Sequence, residues 1–221
     1  MRVRLFLIAF LGVLSVSQTW AQSDQPAFAR GIYFAGMGRY STVGGGFDGQ
    51  SFYNVDSGAE VIVIPRLNPG FGAGALLGYR GTNWAYEAGG SYTPASSSFG
   101  GSVLGTSTLG FTFDVQWLPF TSTHFQPYLT AGLGISTLTV RNGSSDGFQV
   151  GDAMFYLGGF RLGLGIEVWM NRQFFLRFQG ICRIDRVVSI QGVNDADRID
   201  LRDTLNADGY EIGLIIGAVI F

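Results

Sequence analysis

The residues of this 221-residue chain whose types invite chemistry are one histidine, one cysteine, a run of aspartates and two glycine clusters. His124 is the single histidine. Such a base activates a serine or a water only when the nucleophile lies within hydrogen-bond reach. It falls between Leu118 and Gln126, in a connection between extended segments, and reads as a turn residue. Cys182 is alone, which leaves neither a disulfide framework nor a thiolate zinc site within one chain. Its neighbours are apolar, a setting in which a thiol is inert, so it reads as packing. Asp195, Asp197, Asp200, Asp203 and Asp208 offer the hard oxygen ligands that calcium takes. They lack EF-hand spacing, however, and Arg198 and Arg202 stand among them as internal counter-charges. Gly44-Gly45-Gly46 and Gly100-Gly101 are followed by no helix and no Lys-Ser/Thr pair, so the machinery for cradling a phosphate is missing. The expectation is no catalytic residue, no metal and no cofactor.

What remains is a set of charges that recur at alternate positions, and these need elements to hold them. Glycine contributes 34 residues, and only 14% of the chain is charged against about 25% in ordinary soluble domains. All basic residues are arginine, no basic tract suggests nucleic acid, and the formal net charge is −2. No apolar run after the N-terminus reaches the roughly 20 residues of a membrane helix. The N-terminus itself has three parts: Arg2 and Arg4, the apolar stretch Leu5 to Leu14, and small or polar residues up to Ala21. Thr19 and Ala21 are spaced as a signal peptidase requires. Residues 1–21 are therefore expected to be a cleaved export signal. Residues 22–221 would form a single mature domain whose net charge, after loss of Arg2 and Arg4, goes from −2 to −4.

From there the pattern has period two, the signature of strands with one apolar face. Between Val103 and Leu118, Leu109, Phe111, Phe113, Val115 and Trp117 alternate with Thr108, Gly110, Thr112, Asp114 and Gln116. Met154 to Val168 and Phe174 to Ile184 behave alike. Weaker alternation marks Gly31 to Tyr40, Gly70 to Arg80, Trp84 to Thr93, Pro127 to Leu138 and Tyr210 to Phe221, which makes eight strands. Pro26, Pro69, Pro94, Pro119 and Pro127 are expected at or beyond strand ends, where no ladder bond is lost. Connections at Gly81 to Asn83, Leu118 to Gln126 and Trp169 to Gln173 are short or moderate. Those at Ser41 to Asn68, Pro94 to Ser102, Arg141 to Asp152 and Gln191 to Asp208 are mostly longer. Short turns at one end and long loops at the other predict an all-β, eight-stranded antiparallel up-and-down transmembrane barrel.

Two features favour membrane over water outside that barrel. Trp84, Trp117 and Trp169 each lie beside a different short turn and are expected to form an interfacial belt, where indole is best accommodated. With the apolar faces turned to lipid, the lumen receives Arg39, Arg80, Arg161, Arg177 and Arg183. It also receives Glu87, Asp114, Glu167, Asp185 and Glu211. Charges taken from bulk water must be paired. Arg39 and Glu211 are expected as neighbours near the loop end, and Arg80, Glu87, Asp114, Glu167 and Arg177 as a cluster nearer the short turns. An eight-stranded interior is wide enough only for side chains or one small ligand. Filled with paired charges, it should not conduct freely.

These residues resemble the outer-membrane β-barrel family that includes the transmembrane domain of outer-membrane protein A and its small eight-stranded relatives. Gly78-Tyr79-Arg80 before a tight turn carries the resemblance, as do Pro127-Tyr128 with Gly132-Leu133-Gly134, Gly163-Leu164-Gly165-Ile166-Glu167, and the terminal Phe221. The resemblance implies that Phe221 is read by the barrel-assembly machinery. One departure is that Tyr210, Ile212, Leu214, Ile216 and Ile220 are out of phase with that final aromatic. In barrel enzymes of this kind the histidine sits at the loop-side rim, whereas His124 is expected on the periplasmic side. The expectation is a non-enzymatic protein of the bacterial outer membrane whose loops serve envelope integrity, adhesion or host interaction. Its expected partners are membrane lipids and lipopolysaccharide, with a monomer as the assembly state. The alternatives are a soluble lipocalin-like barrel, with apolar interior and polar exterior, or a narrow channel.

Overall fold

The structure is a computed structural model and describes residues 30–45, 51–53, 60–63, 66–99, 102–120, 124–140, 153–191 and 206–220. The export signal, Asp195 to Asp203 and Phe221 lie outside the described residues. Among the described residues eleven strands follow one another: β1 (Gly31–Ser41), β2 (Ser51–Tyr53), β3 (Glu60–Val63), β4 (Arg66–Leu67), β5 (Gly70–Arg80), β6 (Trp84–Phe99), β7 (Ser102–Trp117), β8 (Phe125–Val140), β9 (Ala153–Trp169), β10 (Phe174–Gln191) and β11 (Gly209–Ile220). β1 and β5 to β11 form the barrel. Each pairs antiparallel with its neighbours in the chain, β11 returns to β1, and the β6–β7 pairing completes the ring. β2 and β3 form a separate hairpin, and β4 prolongs the wall beside the outer end of β6.

The alternation in the sequence becomes the two faces of the wall, because successive side chains of a strand point to opposite sides. On β11, Ile212, Leu214 and Ile216 are exposed while Glu211, Gly213 and Ile215 are buried. Phe34, Leu77, Phe111, Leu133 and Phe160 likewise stand on the outside, each about half exposed. The apolar exterior and charged interior are the reverse of what a soluble ligand-binding barrel requires. Closure also abolishes the free edges that would otherwise template pairing with another chain.

Two expectations about strand ends are corrected. Pro94 to Ser102 is not a long loop: β6 and β7 stay paired out to Phe99 and Ser102, so residues 100–101 alone connect them. Pro94 therefore lies inside a strand. On its β5 side the ladder has already stopped at Ala73 and Tyr92, so the missing donor costs no bond there. Pro127 also lies within β8, beyond the last β7–β8 pair at Trp117 and Leu129, where one edge of the strand is unpaired.

Inward-facing glycines let the interior fill. A Cβ on Gly78 would stand 2.2 Å from the Tyr33 ring, and one on Gly217 would stand 2.2 Å from Phe175. On Gly165 it would meet the Tyr128 hydroxyl at 2.4 Å, and on Gly132 the Asp114 carboxylate at 2.1 Å. Large side chains thus lie flat across a neighbouring strand, in space that only glycine leaves open.

Candidate functional site in the barrel lumen

All ten charged residues expected in the lumen are buried there. They form two groups, each with as many cations as anions. The group nearer the short turns is built on Arg177, which is fully buried and whose Cα partner across the β9–β10 ladder is Glu167. Arg177 donates to Glu167 from Nε at 3.2 Å and from Nη2 at 2.7 Å, and it also pairs closely with Glu87. Glu87 accepts from the Tyr33 hydroxyl and, at 2.6 Å, from Gln116 Nε2. Glu167 pairs with Arg80, which also donates to Gln126. Aromatic rings pack on these cations. Arg177 lies 4.9 Å from the Phe175 ring centre and 5.1 Å from that of Tyr128, and Arg80 lies 4.9 Å from that of Trp169. Guanidinium groups stack on such faces while their edges hold carboxylates.

The second group, nearer the loop end, is built on Glu211. Its carboxylate lies 3.3 Å from Arg39, 3.1 Å from Arg161 and 3.5 Å from Arg183. Arg161 also reaches Asp114 at 3.1 Å, Arg183 binds Asp185 at 2.9 Å, and Arg39 donates to Ser91 Oγ at 2.7 Å. Arg161 and Arg183 are direct cross-strand partners, as are Glu87 and Asp114. Like charges placed directly opposite destabilise a sheet. Here Glu211 stands between the two arginines, while Glu87 and Asp114 turn to different groups, one to Arg177 and the other to Arg161.

The expected neighbours Arg39 and Glu211 are brought together, as are Arg80, Glu87, Glu167 and Arg177. Asp114 is not part of that latter set, because its carboxylate belongs with Arg161 in the loop-end group. Trp169 is the larger correction. It is 2% exposed and donates from Nε1 to Glu167 at 2.8 Å, so it fills the lumen and does not join a belt. The signal was its spacing: Trp169 is two residues from Glu167 and must share its face. Trp84 and Trp117 do stand outside, 51% and 41% exposed, as direct cross-strand partners at the short-turn end. The sequence reading also missed Tyr33, Tyr128 and Gln126, whose inward parity was the available sign, and it placed Gln116 on the polar face of its strand without assigning it to the charge cluster. His124 is exposed in the β7–β8 turn, where its backbone carbonyl accepts from the Trp169 N–H at 2.8 Å. Cys182 is on the exposed outer face. Among the described residues no group of His, Cys, Asp and Glu is arranged to hold a metal. Asp208 is instead ion-paired to Arg186 at 3.2 Å.

A closed, eight-stranded wall that is apolar outside and salt-bridged inside defines an outer-membrane barrel, and the comparisons agree. The model of the outer membrane protein beta-barrel domain matches residues 6–185, and the chain belongs to that family. No curated protein matches the sequence. Among solved structures it is similar to Neisserial surface protein A, with TM-score 0.54 and 14% identity over 86% of this chain and 97% of that one. It is also similar to the outer membrane protein OprG from Pseudomonas aeruginosa, with TM-score 0.52 and 16% identity over 87% of this chain and 97% of that one. At such identities the likeness is one of fold.

Proposed function

We propose that this is a non-enzymatic protein of the bacterial outer membrane, a closed barrel that anchors surface loops serving envelope integrity, adhesion or host interaction. The observation that carries the reading is the layer at the short-turn end, where Arg177, Tyr128, Phe175 and Leu118 are each 0% exposed. Such a layer leaves no path for solutes, so the working surface of the protein is its loops. That one similar barrel is called a surface protein fits this reading. Export proceeds by cleavage of residues 1–21, and Phe221 serves as the assembly signal for the barrel-assembly machinery. Trp84 and Trp117 sit at the headgroup level of the inner leaflet, with lipopolysaccharide around the opposite rim and a monomer as the functional unit.

Planar-bilayer recording of the purified protein tests the reading. The expected result is no discrete conductance at voltages the bilayer tolerates. Reproducible steps above those of a protein-free bilayer would replace the anchor with a channel. Lipid hydrolysis by the same preparation would replace it with an enzyme.

A further inference from the structure

The register of the wall fixes how high each strand reaches. From Gly31 it passes through Arg80, Ala85, Gln116, Thr130, Gly163, Ile181 and Glu211 and returns to β1 at Ser41, ten residues further on (41 − 31). A row of partners therefore climbs toward the loops as it circles the barrel, and strand ends have to be compared along the barrel axis. On that basis β1, β5 and β11 stop together at Ser41, Gly70 and Gly209, while β6 to β10 rise roughly 10–20 Å higher. The three lower strands end just beyond the outward-facing Tyr40, Phe71 and Tyr210, and Tyr92 on β6 stands at the same height. A girdle of rings is what a membrane barrel places at this interface. The raised part of β6 to β10 thus stands outside the membrane.

Across the girdle the polarity of the wall reverses. On the outer face of β8, Leu133 and Ile135 are followed upward by Thr137 and Thr139. On the inner face, Arg161 of β9 and Arg183 and Asp185 of β10 give way to Leu138, Val140, Phe155, Leu157 and Val187 on β8 to β10, each 1–3% exposed. A sheet with one covered apolar side and one polar side is built as in a soluble protein. The raised wall therefore keeps its shape without lipid and presents a fixed face to the outside.

Two rows of side chains cross that face. Thr137, Tyr156 and Ser189 are successive partners on β8, β9 and β10, and Ser107, Thr139, Met154 and Gln191 are successive partners on β7 to β10. The Tyr156 hydroxyl donates to Gln191 Oε1 at 3.2 Å and ties the two rows together. Neither row carries a charge, and Arg186, below them on β10, is ion-paired to Asp208 at 3.2 Å. Hydroxyls that donate and accept, a carboxamide and an aromatic ring suit a sugar better than a phosphate or a charged protein surface. We propose that this face binds the core saccharide of an outer-leaflet lipopolysaccharide. The inference rests on the outer-membrane reading and names the partner of its loop-end rim. Position selects this occupant over other glycans. The face continues the apolar band of Leu133, Ile135 and Phe160 on the same strands, so a glycolipid whose acyl chains cover that band carries its sugars onto Thr137, Thr139 and Tyr156. Among the described residues β11, β1 and β5 stop at the girdle, so the binding is confined to one side of the barrel.

Native mass spectrometry of the folded protein in detergent, titrated with purified glycolipids, tests the proposal. The probes are lipid A alone, lipid A carrying its core saccharide, and the free core saccharide. Expected is about tenfold tighter binding of the core-bearing lipid than of lipid A, the return from one or two net hydrogen bonds. The double variant Thr137→Val, Thr139→Val keeps shape and branching and removes both hydroxyls from the outer face, so the barrel accepts it. With its folding verified by heat-dependent mobility in SDS, the preference should vanish while the affinity for lipid A stays unchanged. Equal affinity of the wild type for the two lipids, or a double variant that keeps the full preference, overturns the proposal. Free core saccharide bound as tightly as the whole glycolipid would assign the face to a soluble glycan and overturn the membrane-anchored occupant. A protein that shows no heat-dependent shift and binds neither lipid would overturn the outer-membrane reading itself, and the proposal with it.

Discussion

Glu211 is the residue whose removal most directly tests whether the lumen charges act as a network. Glu211→Gln keeps shape and removes one charge. Arg161 retains Asp114 at 3.1 Å and Arg183 retains Asp185 at 2.9 Å, so the loss falls on Arg39, whose remaining partner is Ser91 Oγ at 2.7 Å. Leaving one charge of a buried pair uncompensated costs about 3–5 kcal/mol. The retained hydrogen bond puts this case near the lower end, at about 3 kcal/mol. Arg39→Met alone should cost about 1 kcal/mol, since Glu211 keeps two arginines and no charge is stranded. Additivity would then put the double variant at about 4 kcal/mol. The network instead predicts about 2 kcal/mol, because Arg39→Met removes the same cation that Glu211→Gln leaves alone, a coupling of about 2 kcal/mol. Urea unfolding in lipid vesicles, scored by the mobility of unboiled protein in SDS, measures all three values. A double variant that sums its parents to within about 0.5 kcal/mol would refute the reasoning, because coupled sites depart from additivity by more than that.

Three further outcomes follow from placement. Gly78→Ala puts a Cβ 2.2 Å from the Tyr33 ring and displaces the hydroxyl that binds Glu87, so the barrel should lose about 1–3 kcal/mol by the same urea assay. Single-tryptophan variants in brominated lipid should show strong quenching for Trp84 and Trp117 and little for Trp169, which is 2% exposed inside the lumen; equal quenching of all three would restore the belt of three. Cys182 is exposed on the apolar outer face. In membranes it should react with a small apolar maleimide and resist a charged methanethiosulfonate of similar size, whereas equal rates would mean the face meets water.

The wall of the barrel was legible because a single rule, alternation, governs both faces. Once Phe111 and Phe113 are outside, Asp114 and Gln116 must be inside, and no tertiary detail alters this. The same rule, carried one step past Glu167, would have placed Trp169 correctly. Its nearness to a turn outweighed its parity in the sequence reading, although parity is the stronger constraint within a strand. What alternation does not supply is the partner of each charge. Asp114 pairs across the ladder with Glu87, and a reading based on height alone groups the two. Their repulsion is what separates them, sending Asp114 toward Arg161. The hairpin at Gly100-Gly101 was obscured for a different reason. Serine, glycine and a proline look like a loop, yet ladder bonds to one neighbour suffice to keep Pro94 in a strand when the other side is already unpaired.

Glycine links these observations. Its abundance suggests flexible loops when the sequence is read residue by residue, but many glycines lie on the inner face of strands, where a rigid neighbour occupies the space of the absent side chain. Asp185 lies over Gly159, Tyr128 over Gly165 and Phe175 over Gly217. An eight-stranded barrel has too little radius to hold five arginines, five carboxylates and a set of aromatic rings if every inward position also carries a side chain. Alternating large and absent side chains across neighbouring strands solves that problem at both ends of the lumen. Gly110 on β7 has its nearest contact at 3.4 Å, whereas a Cβ on Gly134 of β8 would meet the Arg161 stem at 3.2 Å. Where the cover is an aromatic ring, as for Tyr128 over Gly165 and Phe175 over Gly217, both rings are fully buried and the lumen is sealed.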